Sequence, residues 1–235
     1  MRNTLRPWQA HHRLVITIGL SGITLIAHAQ ERSFGFEANG GVLILASNTL
    51  NQQLTTAGFR PIRPVMPTVG LGVPQRINEY FSAKLEVSYV RMQNKQDESA
   101  TLVNGFGFNY HVAYHMVNAH TMRLGPTIGL GYQGVVIDAV QGDKQVGFPT
   151  YLTVPARHVS MTNTTVGANV GFQGIWFDKS ESLNKFPNRR HYLGVGVNYY
   201  FPFNPQNWSQ SGLTLPDGPS FNPGGLQVKV AYGFL

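Results

Sequence analysis

Apolar and non-apolar residues alternate with a period of two over eight stretches of this chain. No other feature constrains the fold as much. Successive strand side chains point to opposite faces, so strict alternation describes a half-buried strand. In one stretch Phe81, Ala83, Leu85, Val87 and Tyr89 share a face, and Ser82, Lys84, Glu86 and Ser88 share the other. A later stretch sets Leu193, Val195, Val197 and Tyr199 against Gly194, Gly196 and Asn198. Strands are predicted at 33–45, 66–77, 81–93, 100–116, 120–134, 163–177, 191–201 and 225–235. Polar segments rich in Pro and Asn separate them. No helical periodicity, internal repeat or interdomain linker is read.

The first 29 residues carry a different pattern. Arg2, Arg6 and Arg13 precede an apolar run from Leu14 to Ala27, which ends in Ala27-His28-Ala29. That run is short for a membrane helix and has the layout of a secretory signal peptide. The expected division is a signal peptide at 1–29 and one domain at 30–235. The chain has 18 Lys and Arg against 11 Asp and Glu. Removing the leader lowers the net charge to about +4, with no dense basic stripe for nucleic acid. Cysteine is absent, which excludes disulfides and thiolate metal sites.

One closed sheet is the economical arrangement of eight such strands. The non-apolar face is mostly Gly, Asn, Ser and Thr, which suits a narrow lumen rather than a water-exposed exterior. The apolar face carries Tyr89, Tyr110, Tyr114, Tyr132, Trp176, Tyr199, Phe201, Tyr232 and Phe234 near the segment ends. These are the expected lipid-interface aromatics. With the N-terminus in the periplasm, the outer connections are 46–65, 94–99, 135–162 and 202–224. The inner ones are 78–80, 117–119 and 178–190, the last longer than an inner turn should be.

The leader, the eight amphipathic strands and the closing Leu226-Gln227-Val228-Lys229-Val230-Ala231-Tyr232-Gly233-Phe234 resemble small outer-membrane β-barrels. The similarity is to the OmpX and OmpA-barrel type and to the PorT-like barrels of Bacteroidota. It implies an all-β, eight-stranded antiparallel up-and-down transmembrane barrel in the outer membrane of a Gram-negative bacterium. It also implies insertion by the barrel-assembly machinery. Family members usually end in an aromatic residue, whereas here Leu235 follows Phe234. The implied role is non-enzymatic: surface interaction, envelope structure, or secretion and assembly. Eight strands enclose a space just wide enough for side chains, which argues against a general porin.

Several constellations bear on chemistry. Glu37, Lys84, Glu86, His111, Arg123 and Lys229 fall on the inward face and are expected to form a lumenal charge network that pins strand register. His158 and Ser160 have the spacing of the His-x-Ser of barrel lipid A deacylases of the PagL type. Carried over, His158 is the base and Ser160 the nucleophile. That family has an Asn after the Ser, where Met161 stands here. Its acid lies on the following strand, and 163–177 contains none, leaving Asp138 or Asp143. Arg60, Arg63, Arg91, Lys95 and Arg157 form an expected cationic rim for lipopolysaccharide phosphates. His111, His115 and His120 suggest a metal, but His111 and His115 stand about 13 Å apart on one strand face, too far for one ion to bridge. Gly129-x-Gly131-x-x-Gly134 matches a dinucleotide fingerprint in letters, but it lies in strand alternation and lacks the required helix. No cofactor is expected. A protein partner is expected at the outer loops, or at 178–190 through Lys179, Lys185, Arg189 and Arg190. A small ion or solute channel is the weaker alternative.

Overall fold

The computed structural model describes residues 34–96, 99–141, 157–178, 190–216 and 218–235. The expected signal peptide lies outside these residues, as do 179–189 and 142–156.

The eight long strands are β1 (Phe36–Ile44), β2 (Val65–Arg76), β3 (Phe81–Gln96), β4 (Ser99–Tyr114), β6 (Met122–Gln141), β7 (Arg157–Phe177), β8 (His191–Pro202) and β11 (Leu226–Phe234). Each pairs antiparallel with the next, and β11 pairs back onto β1, from Phe36↔Phe234 to Ile44↔Leu226. The ring is therefore closed, with no unpaired edge along the part that eight strands share. Three short strands complete the sheet: β5 (Val117–Ala119), β9 (Trp208–Gln210) and β10 (Leu213–Leu215). Among the described residues no helix is long and apolar enough to cross a membrane; the outward apolar face belongs to the eight long strands. Closure satisfies their backbone groups internally, as a lipid environment requires.

The alternation sets the faces. Val69, Leu71, Val87, Ile128, Leu130, Val170, Phe172, Leu193 and Val230 project outward from the wall and are exposed. A continuous apolar belt of this kind is the lipid-facing surface of a membrane barrel. The end holding the connections β1–β2 and β8–β11 is termed upper here, and the opposite end lower.

Four strand ends differ from the sequence expectation. β6 runs to Gln141 rather than 134, β7 starts at Arg157 rather than 163, and β3 ends at Gln96 rather than 93. β4, conversely, stops at Tyr114 rather than 116. The third upper connection shrinks accordingly to 142–156. The physical reason lies inside the upper mouth. There the inward face changes from polar to apolar, with Val90, Val103, Val135, Ile137 and Ala139 all buried.

Their partner is an unexpected helix, α1 (Asn48–Thr56). Leu50 and Leu54, one turn apart, are its buried residues. Gly58 ends it in the left-handed region, at φ +84°, and the Phe59 amide donates to the Leu54 carbonyl at 2.8 Å. This six-to-one bond closes the helix C-terminus in Schellman fashion. Sequence periodicity missed α1 because only two apolar residues mark its face.

Two of the upper connections, β1–β2 and β8–β11, contribute to the core. Leu50, Leu54, Phe59, Ile62, Trp208 and Phe221 pack with the upper strand residues into one apolar core. Trp208, only 1% exposed, lies 5.5 Å from the Phe221 ring, and its indole N–H donates to the Pro219 carbonyl at 2.7 Å. Burying each such side chain contributes about 1.5–3 kcal/mol. The mouth is thus closed by folded chain, and trimming 46–65 or 202–224 would remove part of the core.

Candidate functional site

The lumen brings charged residues together from three strands. Glu37 on β1, Lys84 and Glu86 on β3 and Lys229 on β11 all point inward. Lys84 Nζ lies 3.0 Å from Glu37 Oε1 and 3.1 Å from Glu86 Oε2. Lys229 pairs with Glu86 across the lumen. Glu86 is 1% exposed, so its charge depends on these two ammonium groups. Asn39 donates to both Glu37 and Glu86 at 3.3 Å, and the Tyr192 hydroxyl donates to Glu37 at 2.8 Å. His111 on β4 is buried opposite Lys84, and its Nδ1 has no protein partner. A cavity of about 30 Å³ borders Glu37, Lys84 and Lys229 where Gly194 and Gly196 leave the β8 wall bare. It has room for a water or two.

Above this cluster the lumen is crossed by uncharged polar side chains. Asn109 accepts from Gln133 and Asn169, each at 3.0 Å. The Tyr200 hydroxyl donates to the Thr165 carbonyl at 2.8 Å. Asn39, Tyr192 and Tyr200 were missed as site residues by the sequence reading. Residue parity places all three on inward faces, and that signal was available.

Arg123 sits apart from the other charges, at the lower mouth. Its Nε donates to Asn118 at 3.2 Å, and its guanidinium lies 4.9 Å from the centre of the Phe177 ring. His115 follows β4 at the same end, with Nε2 3.0 Å from the Ser82 hydroxyl. Burial and the neighbouring Arg123 and Arg76 push its pKa down to about 4.

The outer wall above the belt carries the remaining candidates. Arg91 and Lys95 are exposed residues of β3, so they belong to the wall rather than to a loop. Arg63 is exposed just before β2, and the Arg60 carbonyl accepts from Thr101 at 2.7 Å. The side chain of Arg157 lies outside the described residues. His158 and Ser160 lie on the outward face of β7. Ser160 is opposite Asp138 of β6, and His158 Nε2 is 3.9 Å from Asp138 Oδ1. An acidic side chain thus stands beside His158 on the preceding strand rather than on 163–177.

Tyr110, Tyr114, Trp176, Tyr199, Phe201, Tyr232 and Phe234 sit within four residues of a strand end, whereas Tyr89 and Tyr132 stand at the middle of the longer β3 and β6. Tyr89, Tyr110, Tyr114, Trp176, Tyr199, Phe201 and Tyr232 are exposed, and Tyr132 and Phe234 half-buried. Phe106 and Tyr132 pair at 5.7 Å, and Tyr199 and Phe201 at 4.6 Å. Among the described residues no group of three His, Asp or Glu side chains is placed to hold a metal ion.

No family model matches the sequence. No curated protein matches it. Solved structures do. A major outer membrane protein from Thermus thermophilus is 14% identical, with a TM-score of 0.51 over 87% of this chain and 98% of that one. Neisserial surface protein A is 10% identical, with a TM-score of 0.45 over 87% and 97%. The N-terminal β-barrel domain of Pseudomonas aeruginosa OprF is 11% identical, with a TM-score of 0.41 over 87% and 98%. At such identities the first of these likenesses speaks for the fold alone.

Proposed function

We propose that this chain, which has the fold of the small outer-membrane β-barrels, is a closed, non-enzymatic barrel that presents an outer face for surface interaction. In that membrane the short turns face the periplasm, so the lower end is periplasmic and the upper end external. One observation carries the reading. The external mouth is filled by an apolar core of α1, Trp208, Phe221 and the upper strands. Beneath it the Glu37, Lys84, Glu86 and Lys229 network fills the lumen. A chain blocked twice along its axis is built to hold a surface rather than to pass solutes. Arg91 and Lys95, on the wall just above Tyr89, suit the phosphates of lipopolysaccharide in the outer leaflet. Planar-bilayer recording of the purified barrel tests the closed state. No sustained conductance is expected, and stable openings would overturn it. Lipopolysaccharide should raise the melting temperature of the wild type more than that of Arg91→Gln/Lys95→Gln.

A second reading rests on the 3.9 Å approach of Asp138 to His158 beside Ser160. An acid, an imidazole and a hydroxyl on one outward face suit acyl transfer. Asp138 lies about 20 Å along β6 from Tyr132 of the aromatic row, so the ester of an outer-leaflet lipid would have to rise above the belt to reach it. Mass spectrometry of lipid A from cells expressing the wild type or His158→Ala separates the readings. Loss of an acyl chain in the wild type alone would make the barrel an enzyme.

A further inference from the structure

We propose that the periplasmic mouth of the barrel is an oxyanion site, in which Arg123, Arg190 and Arg76 receive a phosphate or carboxylate entering from the periplasm. Three elements converge there. Arg76 ends β2, Arg123 opens β6 and Arg190 immediately precedes β8. The Arg123 and Arg190 guanidiniums lie 4.9 and 5.0 Å from the centre of one ring, that of Phe177. Arg76 stands at the same end, its Nε donating to the Asn78 carbonyl at 3.3 Å. Arg123 is 8% exposed, yet among the described residues its side chain donates only to the neutral amide of Asn118.

Charge of one sign gathered in a half-desolvated mouth is costly unless an anion joins it. Among the described residues no carboxylate lies within ion-pair distance of the three guanidiniums, and the Leu235 main-chain oxygen accepts from the Arg190 amide at 3.0 Å. Glu37, the inward carboxylate at that end of β1, is held by Lys84 and the Tyr192 hydroxyl.

A second, independent feature is His115. It is 1% exposed, and its Nδ1 is buried without a partner. The tautomer that accepts from Ser82 at Nε2 leaves Nδ1 a donor without a partner, and the other tautomer leaves it an acceptor. Arginines without a carboxylate partner among the described residues are complementary to one chemical class. Guanidinium forks bind phosphate and carboxylate in two-point fashion. Arg123 faces into the barrel, so lipid headgroups packed around the wall do not reach it. The ligand comes from the aqueous periplasm, as a free ion or as the anionic end of a slender chain.

Isothermal titration of the folded barrel in micelles tests this, using sodium phosphate and sodium acetate at constant ionic strength in chloride. Saturable heat with one or both anions is expected. The stronger of the two arms identifies the group as phosphoryl or carboxyl. Arg123→Gln and Arg190→Gln should each weaken binding about tenfold or more. Arg123→Lys should fall between, because it keeps the charge and loses the fork. Heat-modifiable gel mobility reports folding. Arg190→Gln, at the half-exposed rim, keeps the test open if Arg123→Gln fails to fold. The absence of saturable heat with either anion, or wild-type affinity in both Gln variants, would overturn the proposal.

Discussion

Asn51 and Ile62 hold each other in a ring of two hydrogen bonds. The Asn51 amide donates to the Ile62 carbonyl at 2.9 Å, and the Ile62 amide donates back to Asn51 Oδ1 at 2.7 Å. This pair ties the middle of α1 to the strand-like segment that returns toward β2. The same amide also reaches the Ser47 hydroxyl at 3.1 Å. The helix is thereby fixed across the mouth at its polar side, while Leu50 and Leu54 anchor it from below.

Asn51→Ala should free this closure without opening the barrel. Losing the pair leaves the Ile62 amide and carbonyl unpaired, at a cost of about 1–3 kcal/mol. Hydrogen exchange should quicken across 45–64 and stay slow in β1 and β2. Uniform acceleration of both would show that the closure and the barrel unfold as one unit.

Trp208→Ala should be among the most damaging changes outside the membrane belt. It empties the space against Phe221 and strands the Pro219 carbonyl. Large-to-small changes of this kind cost about 3–5 kcal/mol. Urea unfolding in micelles would measure the loss, and a midpoint matching the wild type would refute the burial of Trp208.

Breaking one lumenal ion pair should cost more than removing both partners. Lys229→Met leaves Glu86 buried with Lys84 alone and should destabilise by about 3–5 kcal/mol. Lys229→Met/Glu86→Gln should recover part of that loss. A double variant as unstable as the sum of its singles would mean that the two residues are not coupled.

Acid should weaken the lower mouth through His115. Its pKa lies at about 4 in the folded chain, below its ordinary value of 6.5. Between these values the unfolded chain binds a proton that the folded chain refuses, so stability falls as pH drops through that window. Above 6.5 this residue adds no pH dependence. His115→Gln should flatten the stability profile between pH 6.5 and 4, and an unchanged slope would assign the acid sensitivity to other groups.

Alternation over 81–89 or 193–199 determined, from the sequence alone, that these segments are strands and which residues face the lumen. Side-chain direction in a strand is local and repeats every two residues, so Glu37, Glu86 and Lys229 could be assigned inward without knowing their neighbours. The sequence did not disclose which of them meet. Lys229 reaches Glu86 because β11 closes onto β1 and β3 lies across the lumen from it, a consequence of registers that span the whole ring. The same holds for Arg76, Arg123 and Arg190, whose convergence depends on where three separate strands begin or end. α1 and the extensions of β6 and β7 were decided only by tertiary structure. Two leucines in a polar stretch do not specify a buried helix by themselves, and Ile137 and Ala139 acquire an inside only when that helix folds against them. Local alternation fixed the wall. Closure, register and the burial of distant apolar residues against one another decided the contents of the barrel and the state of its two mouths.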